Sequence, residues 1–264
     1  MIRIVNCFKI EPELDKVTNE EWAEAAQNGQ IDLSFLKSRI NLQDEGALEL
    51  ALKFKDAAAS AGEECQLSAI SAGSKTVNNT LQTLAALGYT STDRIVWGEE
   101  FSPVRTARVI ADAILDKEEQ DMIICGGQSG TGSNRSVPLL ISEMLGIPCI
   151  TAVTEFTYVN DKEVKVTYSR DDMEITEVVS MPFVMAIGDV QKAFLRVPTL
   201  MQRMASMSQP VGEINPECNA QEGATLKGFR YLDQSRNGEL IDGSNPVDAA
   251  QIILDRLKEE GVVK

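Results

Sequence analysis

Apolar positions along the chain follow two alternating rhythms. Residues 2–8, 66–71, 94–97, 122–125 and 183–187 are short runs dominated by apolar side chains, of the length a buried strand needs. Between them the spacing changes to three and four. Ala47, Leu48, Ala51 and Leu52 form one set; Val77, Leu81 and Leu84 a second; Val104, Ala107, Ile110 and Ile114 a third; Val137, Leu140, Ile141 and Met144 a fourth. Each set lies on one face of a helix. Gly146 and Pro148 follow the fourth as a C-cap and a breaker should. Strands alternating with helices of this length predict right-handed βαβ units and a parallel sheet.

The rhythm changes elsewhere. Residues 156–159, 164–168 and 174–179 alternate in period two around an Asn160-Asp161 turn, which predicts an antiparallel ribbon. Residues 11–40 are polar and acidic, a surface excursion with a helix near 20–27. Residues 190–245 show little periodicity, before Val247, Ala250, Ile253 and Leu257 mark a last amphipathic helix over 245–258. So long a poorly periodic stretch is not a quiet loop; it predicts an arm that finds its partner on another subunit. The expected fold class is α/β: a Rossmann-like parallel sheet flanked by helices, with an antiparallel ribbon and a C-terminal arm.

Composition narrows the chemistry. The chain has 264 residues and a net charge of −15, which disfavours nucleic acid and anionic membrane surfaces as partners. It contains no histidine, which removes the commonest general acid–base, most catalytic triads and the usual zinc chemistry. Cys7, Cys65, Cys125, Cys149 and Cys218 form no C-x-x-C pair, and a scattered odd count suits a reducing cytoplasm. Cys125 and Cys149, at the ends of strand patterns, read as small buried thiols. The first residues enter a strand directly, and no apolar run approaches a membrane span; a cytoplasmic location is expected.

The most informative segment runs from Asp121 to Leu140. A buried strand pattern ends in a loop with Gly126, Gly127, Gly130 and Gly132, and a helix pattern follows. Glycines allow close backbone approach, and a helix start offers unpaired N–H groups and positive dipole charge. That combination suits a phosphate at the carboxyl edge of a parallel sheet. The spacing is neither G-x-G-x-x-G nor G-x-x-x-x-G-K-[ST], so a standard dinucleotide fold and a P-loop are disfavoured. Arg135 sits where the first turn of the next helix is expected, and a cation there opposes the dipole unless an anion neutralises it.

Taken in order, these features resemble the β (small) subunit of electron transfer flavoproteins over nearly the whole chain. The stretch from Asn41 to Lys55 is similar to that family's Asn-Pro-Phe-Asp/Cys-Glu-x-Ala-x-Glu-x-Ala-x-x-Leu-Lys segment. Ser71-Ala72-Gly73 followed by Leu84-Ala-Ala-Leu-Gly88 is similar to its Ser-x-Gly strand end and Ala-Leu-Ala-Met-Gly helix. Gly126-Gly-Gln128 through Leu145-Gly-Ile-Pro148 falls on its Gly-Lys-Gln to Leu-Gly-Ile-Pro stretch, and Pro198-Thr199-Leu200-Met201 on its recognition loop.

The resemblance implies an αβ heterodimer that accepts electrons from an acyl-CoA-type or other flavin dehydrogenase and passes them on through FAD. That redox FAD would be shared with the α subunit. The β chain would hold a nucleotide of its own, AMP or, in electron-bifurcating members, a second FAD. Position by position, the site would comprise Cys7, Phe8 and Lys9; Asn41, Leu42, Gln43 and Asp44; and Ala72. The loop would add Gly126, Gln128, Ser129, Gly130, Thr131, Gly132, Ser133, Asn134, Arg135, Ser136 and Val137. Leu200 would anchor the dehydrogenase. The chain would be an electron-carrier subunit with no bond chemistry of its own. Residues 1–190 would form the nucleotide-binding α/β domain, and 191–264 the recognition loop and the arm.

The loop departs from the family pattern. Thr131, Gly132 and Ser133 stand where acids are usual and Arg135 adds a cation, a balance that suits a pyrophosphate and tips the expectation toward FAD over AMP. Plainer roles exist for the same residues. Asn41 and Asp44 stand where they would cap the helix over 46–59, Ser133, Asn134 and Ser136 where they would cap the next one, and Lys9 could be a solvated strand end. A rival reading is a free-standing adenine-nucleotide sensor resembling universal stress proteins, about half this length and without residues 190–264. An adenylate-forming enzyme is disfavoured by the absence of histidine and of a Ser-Gly-Gly-x-Asp-Ser loop.

Overall fold

The computed structural model describes residues 1–29, 31–33, 35–98, 102–190, 194–216, 238 and 240–263. In chain order the elements are β1 (Ile2–Cys7), β2 (Ile10–Pro12), α1 (Asn19–Asn28), β3 (Ser38–Ile40), α2 (Leu42–Ser60) and β4 (Cys65–Gly73). They continue with α3 (Asn78–Ala86), β5 (Ser91–Val96), α4 (Pro103–Leu115), β6 (Met122–Gly126), α5 (Val137–Leu145) and β7 (Cys149–Tyr158). The last are β8 (Glu163–Arg170), β9 (Met173–Ser180), β10 (Phe183–Ile187), α6 (Leu200–Ser206), β11 (Gly212–Ile214) and α7 (Pro246–Glu259).

Nine strands form one sheet in the order β11-β5-β4-β1-β6-β10-β7-β8-β9. From β11 to β7 neighbouring strands are parallel, and β8 and β9 extend the sheet antiparallel. The α/β expectation holds. The three period-two runs belong to β7, β8 and β9, and Asn160 forms the turn by accepting the amides of Lys162 and Glu163 through Oδ1. The run at 156–159 is not a separate strand: β7 continues from Cys149 straight into the antiparallel extension.

Both faces of the central strands are buried, because successive side chains point to opposite sides. Ile2, Ile4 and Phe8 of the first strand region pack with Met122, Ile124, Phe183 and Met185 under α2 and α3, whose Leu48, Phe54, Leu81 and Leu84 close that layer. Val5, Cys7, Ile123, Cys125 and Val184 face the other way, under Ala107, Ile110 and Ile141 of α4 and α5. Cys7, Cys65 and Cys125 are buried, Cys149 is half-buried, and all four are free thiols. Burial pushes the Cys65 thiol up to about 12 and the Cys149 thiol up to about 11. Cys218 lies outside the described residues.

Two features were not visible in the hydrophobic pattern. The polar excursion contains a small ribbon, β2 paired antiparallel with β3. The aperiodic stretch returns to the sheet as β11, parallel to β5, with Glu213 gripping the buried Arg94. Residues 217–237, the middle of the expected arm, lie outside the described residues. Among the described residues no helix is long and apolar enough to cross a membrane.

The strand order places the functional edge. From β1 the chain adds β4 and β5 on one side, then crosses back to place β6 on the other. The order reverses between β1 and β6, and the carboxyl ends of strands flanking such a reversal leave a crevice for ligands.

Candidate functional site

Asp44 organises this crevice. It lies in the first turn of α2, is only 5% exposed, and its carboxylate ties both strand ends together. Oδ2 accepts the amide of Lys9 at 3.0 Å, just beyond β1, and Oδ1 accepts the amide of Gly126 at 2.6 Å, at the end of β6. Asn41 Nδ2 donates to Asp44 Oδ2 at 3.0 Å and to the Gln128 carbonyl at 2.8 Å. Burial pushes the Asp44 carboxyl up to about 6, although those three hydrogen bonds pull the other way; nearby Glu11 adds to the rise. Asn41 occupies the N-cap position of α2, yet its side chain makes no capping bond. Both residues face the glycine loop rather than serving as simple caps.

Lys9 also turns inward. Its Nζ donates to Thr131 O at 2.9 Å and Thr131 Oγ1 at 2.5 Å, and lies 3.4 Å from Ser129 Oγ. The residue as a whole is exposed, but the loop encloses its ammonium and that burial lowers its affinity for the proton; Glu11 and Asp44 partly offset this. Lys9 is thus exposed, as a solvated strand end would be, but its ammonium is tied to the glycine loop.

The glycines have a structural reason beside the one expected from the sequence. A Cβ on Gly126 would stand 2.5 Å from Asp44 Oδ1, one on Gly127 2.9 Å from the Ile187 carbonyl, and one on Gly130 2.9 Å from Glu11 Oε1. Three glycines thus let the loop pack on the protein's own atoms. Gly132 needs its missing side chain for conformation, at φ +93°. Ser133 and Arg135 follow with φ of 42° and 53°, left-handed values that cost non-glycine residues and cluster at ligand sites.

Helix α5 begins at Val137, so Arg135 precedes the first turn instead of lying within it. Ser136 occupies the N-cap position but makes no capping bond; its amide is held by Asn134 Oδ1 at 3.1 Å. Ser133 Oγ donates back to the Ser129 carbonyl at 2.9 Å. Among the described residues, Ser136 at the N-cap makes no side-chain capping bond, and the hydroxyl of Ser133 and the amide oxygen of Asn134 are engaged within the loop. Arg135 is exposed, with its Nε on Gln128 Oε1 at 2.7 Å. A positive-φ residue before a right-handed one is the arrangement that turns successive amides toward a common anion.

The remaining positions divide between edge and core. The side chains of Cys7 and Phe8 are core, so only their backbone can meet a ligand, and Ser71 Oγ already donates to the Phe8 carbonyl at 2.8 Å. Ala72 is half-buried near the end of β4, a small side chain beside which a flat base can lie. Leu42 is exposed. Gln43 Nε2 reaches Asp189 at 2.9 Å, while its Oε1 is buried without a partner.

One residue of the crevice escaped the sequence analysis. Glu11, from β2, is only 3% exposed and accepts the amide of Thr131 at 3.2 Å. Its single signal was its spacing from Lys9: residues two apart in an extended chain project to the same side. An uncapped α5, left-handed backbone at Gly132, Ser133 and Arg135 and two nearby cations suit a phosphate, whereas the buried Gln43 Oε1 is an acceptor and calls for a donor.

Away from the crevice, Leu200 opens α6 and is 74% exposed, with Met201, Met204 and Met207 also open to solvent. Thr199 and Gln202 form a reciprocal capping box at its start, so this short helix holds its shape without burying a residue.

A mostly parallel sheet with a crevice at its order reversal, a glycine-rich loop at that crevice and an exposed apolar segment between β10 and β11 define an α/β protein of Rossmann-like architecture. The chain belongs to the electron transfer flavoprotein domain family, whose model matches residues 31–217. A relative from Escherichia coli (strain K12), named "Putative electron transfer flavoprotein subunit YgcR", is 31% identical over 256 residues, covering 95% of each chain.

Proposed function

We propose that this chain is the β subunit of a heterodimeric electron transfer flavoprotein, holding an adenine nucleotide, FAD or AMP, at the carboxyl edge of β1, β4 and β6. The observation that carries the reading is the convergence of Lys9, Asn41 and Asp44 on the loop from Gly126 to Val137. The backbone at the ends of β1 and β4 would face the base. The amides around Arg135 and Val137 would hold phosphate, with Lys9 and Arg135 supplying positive charge. A bound FAD shared with the larger subunit would supply the redox chemistry; this chain positions and shields.

In the same reading residues 1–190 form the nucleotide-binding part, and residues 191–264 contact partners. Helix α7 supports this. It is amphipathic in sequence, yet Val247, Ile252, Ile253, Leu254 and Leu257 are all exposed, as expected of a helix whose apolar stripe belongs against an α subunit. Leu200 would dock an acyl-CoA-type or other flavin dehydrogenase, and the complex would work in the cytoplasm. Whether the complex bifurcates electrons depends on the nucleotide it holds. The test is the absorbance spectrum and nucleotide content of this chain co-purified with its larger subunit. Flavin plus AMP, or two flavins, supports the proposal, and a complex free of flavin and adenine nucleotide ends it.

A further inference from the structure

We propose that Glu11 is a specificity-determining acid of the nucleotide crevice, restricting it to ligands of low phosphate charge, a nucleoside monophosphate or a dinucleotide, against nucleoside di- and triphosphates. The inference rests on the nucleotide-binding reading above and narrows its ligand class.

Glu11 is buried between the ribbon and the glycine loop, and the loop closes directly on its carboxylate. Oε2 accepts the amide of Thr131 at 3.2 Å. A side chain on Gly130 would lie 2.9 Å from Oε1 and 3.3 Å from Cδ, so glycine is what permits the approach. The carboxylate is felt across the crevice, strengthening the hold of both Lys9 and Asp44 on their protons.

Two consequences follow for an anionic ligand. The amide of Thr131, in the middle of a loop suited to phosphate, is already taken by an internal anion. The charge of Glu11 also offsets that of Lys9, whose ammonium is bound to the same residue, Thr131. The loop has no acid of its own from Met122 to Ser142, so Glu11, from a neighbouring strand, is the carboxylate that acts on it together with Asp44. AMP and FAD each carry about two phosphate charges near neutral pH, and every added phosphate brings roughly one more. Each extra charge meets Glu11 in partly buried surroundings, where repulsion is worth several-fold in affinity.

The test is calorimetric titration of AMP, ADP and ATP into the nucleotide-free full-length chain at one ionic strength. Glu11→Gln keeps the shape and an acceptor for Thr131 while removing the charge; Glu11→Asp keeps the charge. The wild type is expected to prefer AMP over ATP. In Glu11→Gln that preference falls about tenfold because ATP gains most, whereas Glu11→Asp retains it. Should Glu11→Gln not fold, Glu11→Met, of similar length and without polar demand, gives the same readout. An AMP-to-ATP ratio unchanged on loss of the charge overturns the proposal and leaves the nucleotide site standing. No binding of any of the three, nor of FAD titrated in the same way, to the wild type overturns both.

Discussion

Arg196 closes on Glu49. Its amide donates to Glu49 Oε2 at 3.0 Å and Nη2 donates to Oε1 at 2.9 Å, while Nη1 reaches Asp56 at 2.7 Å. Glu49 is 6% exposed on α2, the helix whose first turn carries Asp44, and Arg196 lies just ahead of Leu200. The segment leading to the exposed α6 is thus fastened to the same helix that holds the glycine loop. Arg196→Ala leaves the Glu49 carboxylate buried without its partner. Allowing for the partial exposure of the guanidinium, a loss of about 2 kcal/mol is expected in chemical denaturation. Removing both charges, as Arg196→Met with Glu49→Gln, should recover most of it.

Leu200→Ala should slow electron transfer from the partner dehydrogenase at sub-saturating concentration by up to about thirtyfold, as loss of a docking anchor of about 2 kcal/mol would. Cofactor content and thermal stability should not change, because the side chain is 74% exposed and buries nothing within this chain. Stopped-flow reduction by the dehydrogenase checks this, and rates equal to wild type would remove Leu200 from docking.

Asp44 gives stability a definite pH dependence. Its carboxyl titrates near 6 in the fold, against about 3.9 in an unfolded chain. As pH rises from about 4 to about 6 the unfolded chain releases this proton first, so the folded state loses stability relative to it, by something on the order of 3 kcal/mol. Below that window both states are protonated, and above it both are ionised. Asp44→Asn lacks this term. The stability of wild type minus that of Asp44→Asn, from urea melts at several pH values, should therefore fall between pH 4 and 6; a constant difference contradicts the prediction.

Gly126→Ala brings a methyl to within 2.5 Å of Asp44 Oδ1 and 3.0 Å of the Asp44 amide nitrogen. A cost of about 1–3 kcal/mol is expected, with loss of AMP affinity, because the loop must leave the carboxylate that locates it. Gly146→Ala makes a control for the methyl itself. That glycine has no atom within 4 Å of a built Cβ, and its φ of +67° adds only local strain. A Gly126→Ala protein with wild-type melting and AMP affinity would show that Asp44 does not locate the loop.

Removing residues 246–264 should leave the melting temperature of the isolated chain unchanged, since α7 buries none of its residues here. Affinity for the α subunit should drop at least tenfold, matching the exposed stripe of Val247, Ile253 and Leu257. Equal heterodimer affinity, by analytical ultracentrifugation, would assign that stripe to something else.

Much of this protein is written locally. Buried strands on both faces demand near-continuous apolar runs, and amphipathic helices a three-and-four spacing. The strands at 2–8, 66–71, 122–125 and 183–187, and the helices after 44, 104 and 137, could therefore be read before any contact was known. The loop from Gly126 to Val137 was legible as a short segment with strong local chemistry, whereas its grouping with Lys9, Asn41, Asp44 and Ala72 came from the resemblance to electron transfer flavoprotein β subunits.

The pairings were not legible. Hydrophobic period says which face a residue presents but not which strand lies beside it, so the insertion of β10 between β6 and β7, and the return of residues 212–214 to the sheet edge, came only with the fold. Polar partners obey the same limit. Apart from the spacing of Glu11 from Lys9, nothing in the pattern of Glu11 or Arg196 marks them, since a charge in a polar stretch looks solvated until the chain folds over it. Long-range contacts between Glu11 and Thr131, Arg196 and Glu49, or Asp44 and Gly126 depend on three-dimensional proximity, and that is set by the sum of the core packing rather than by any one segment.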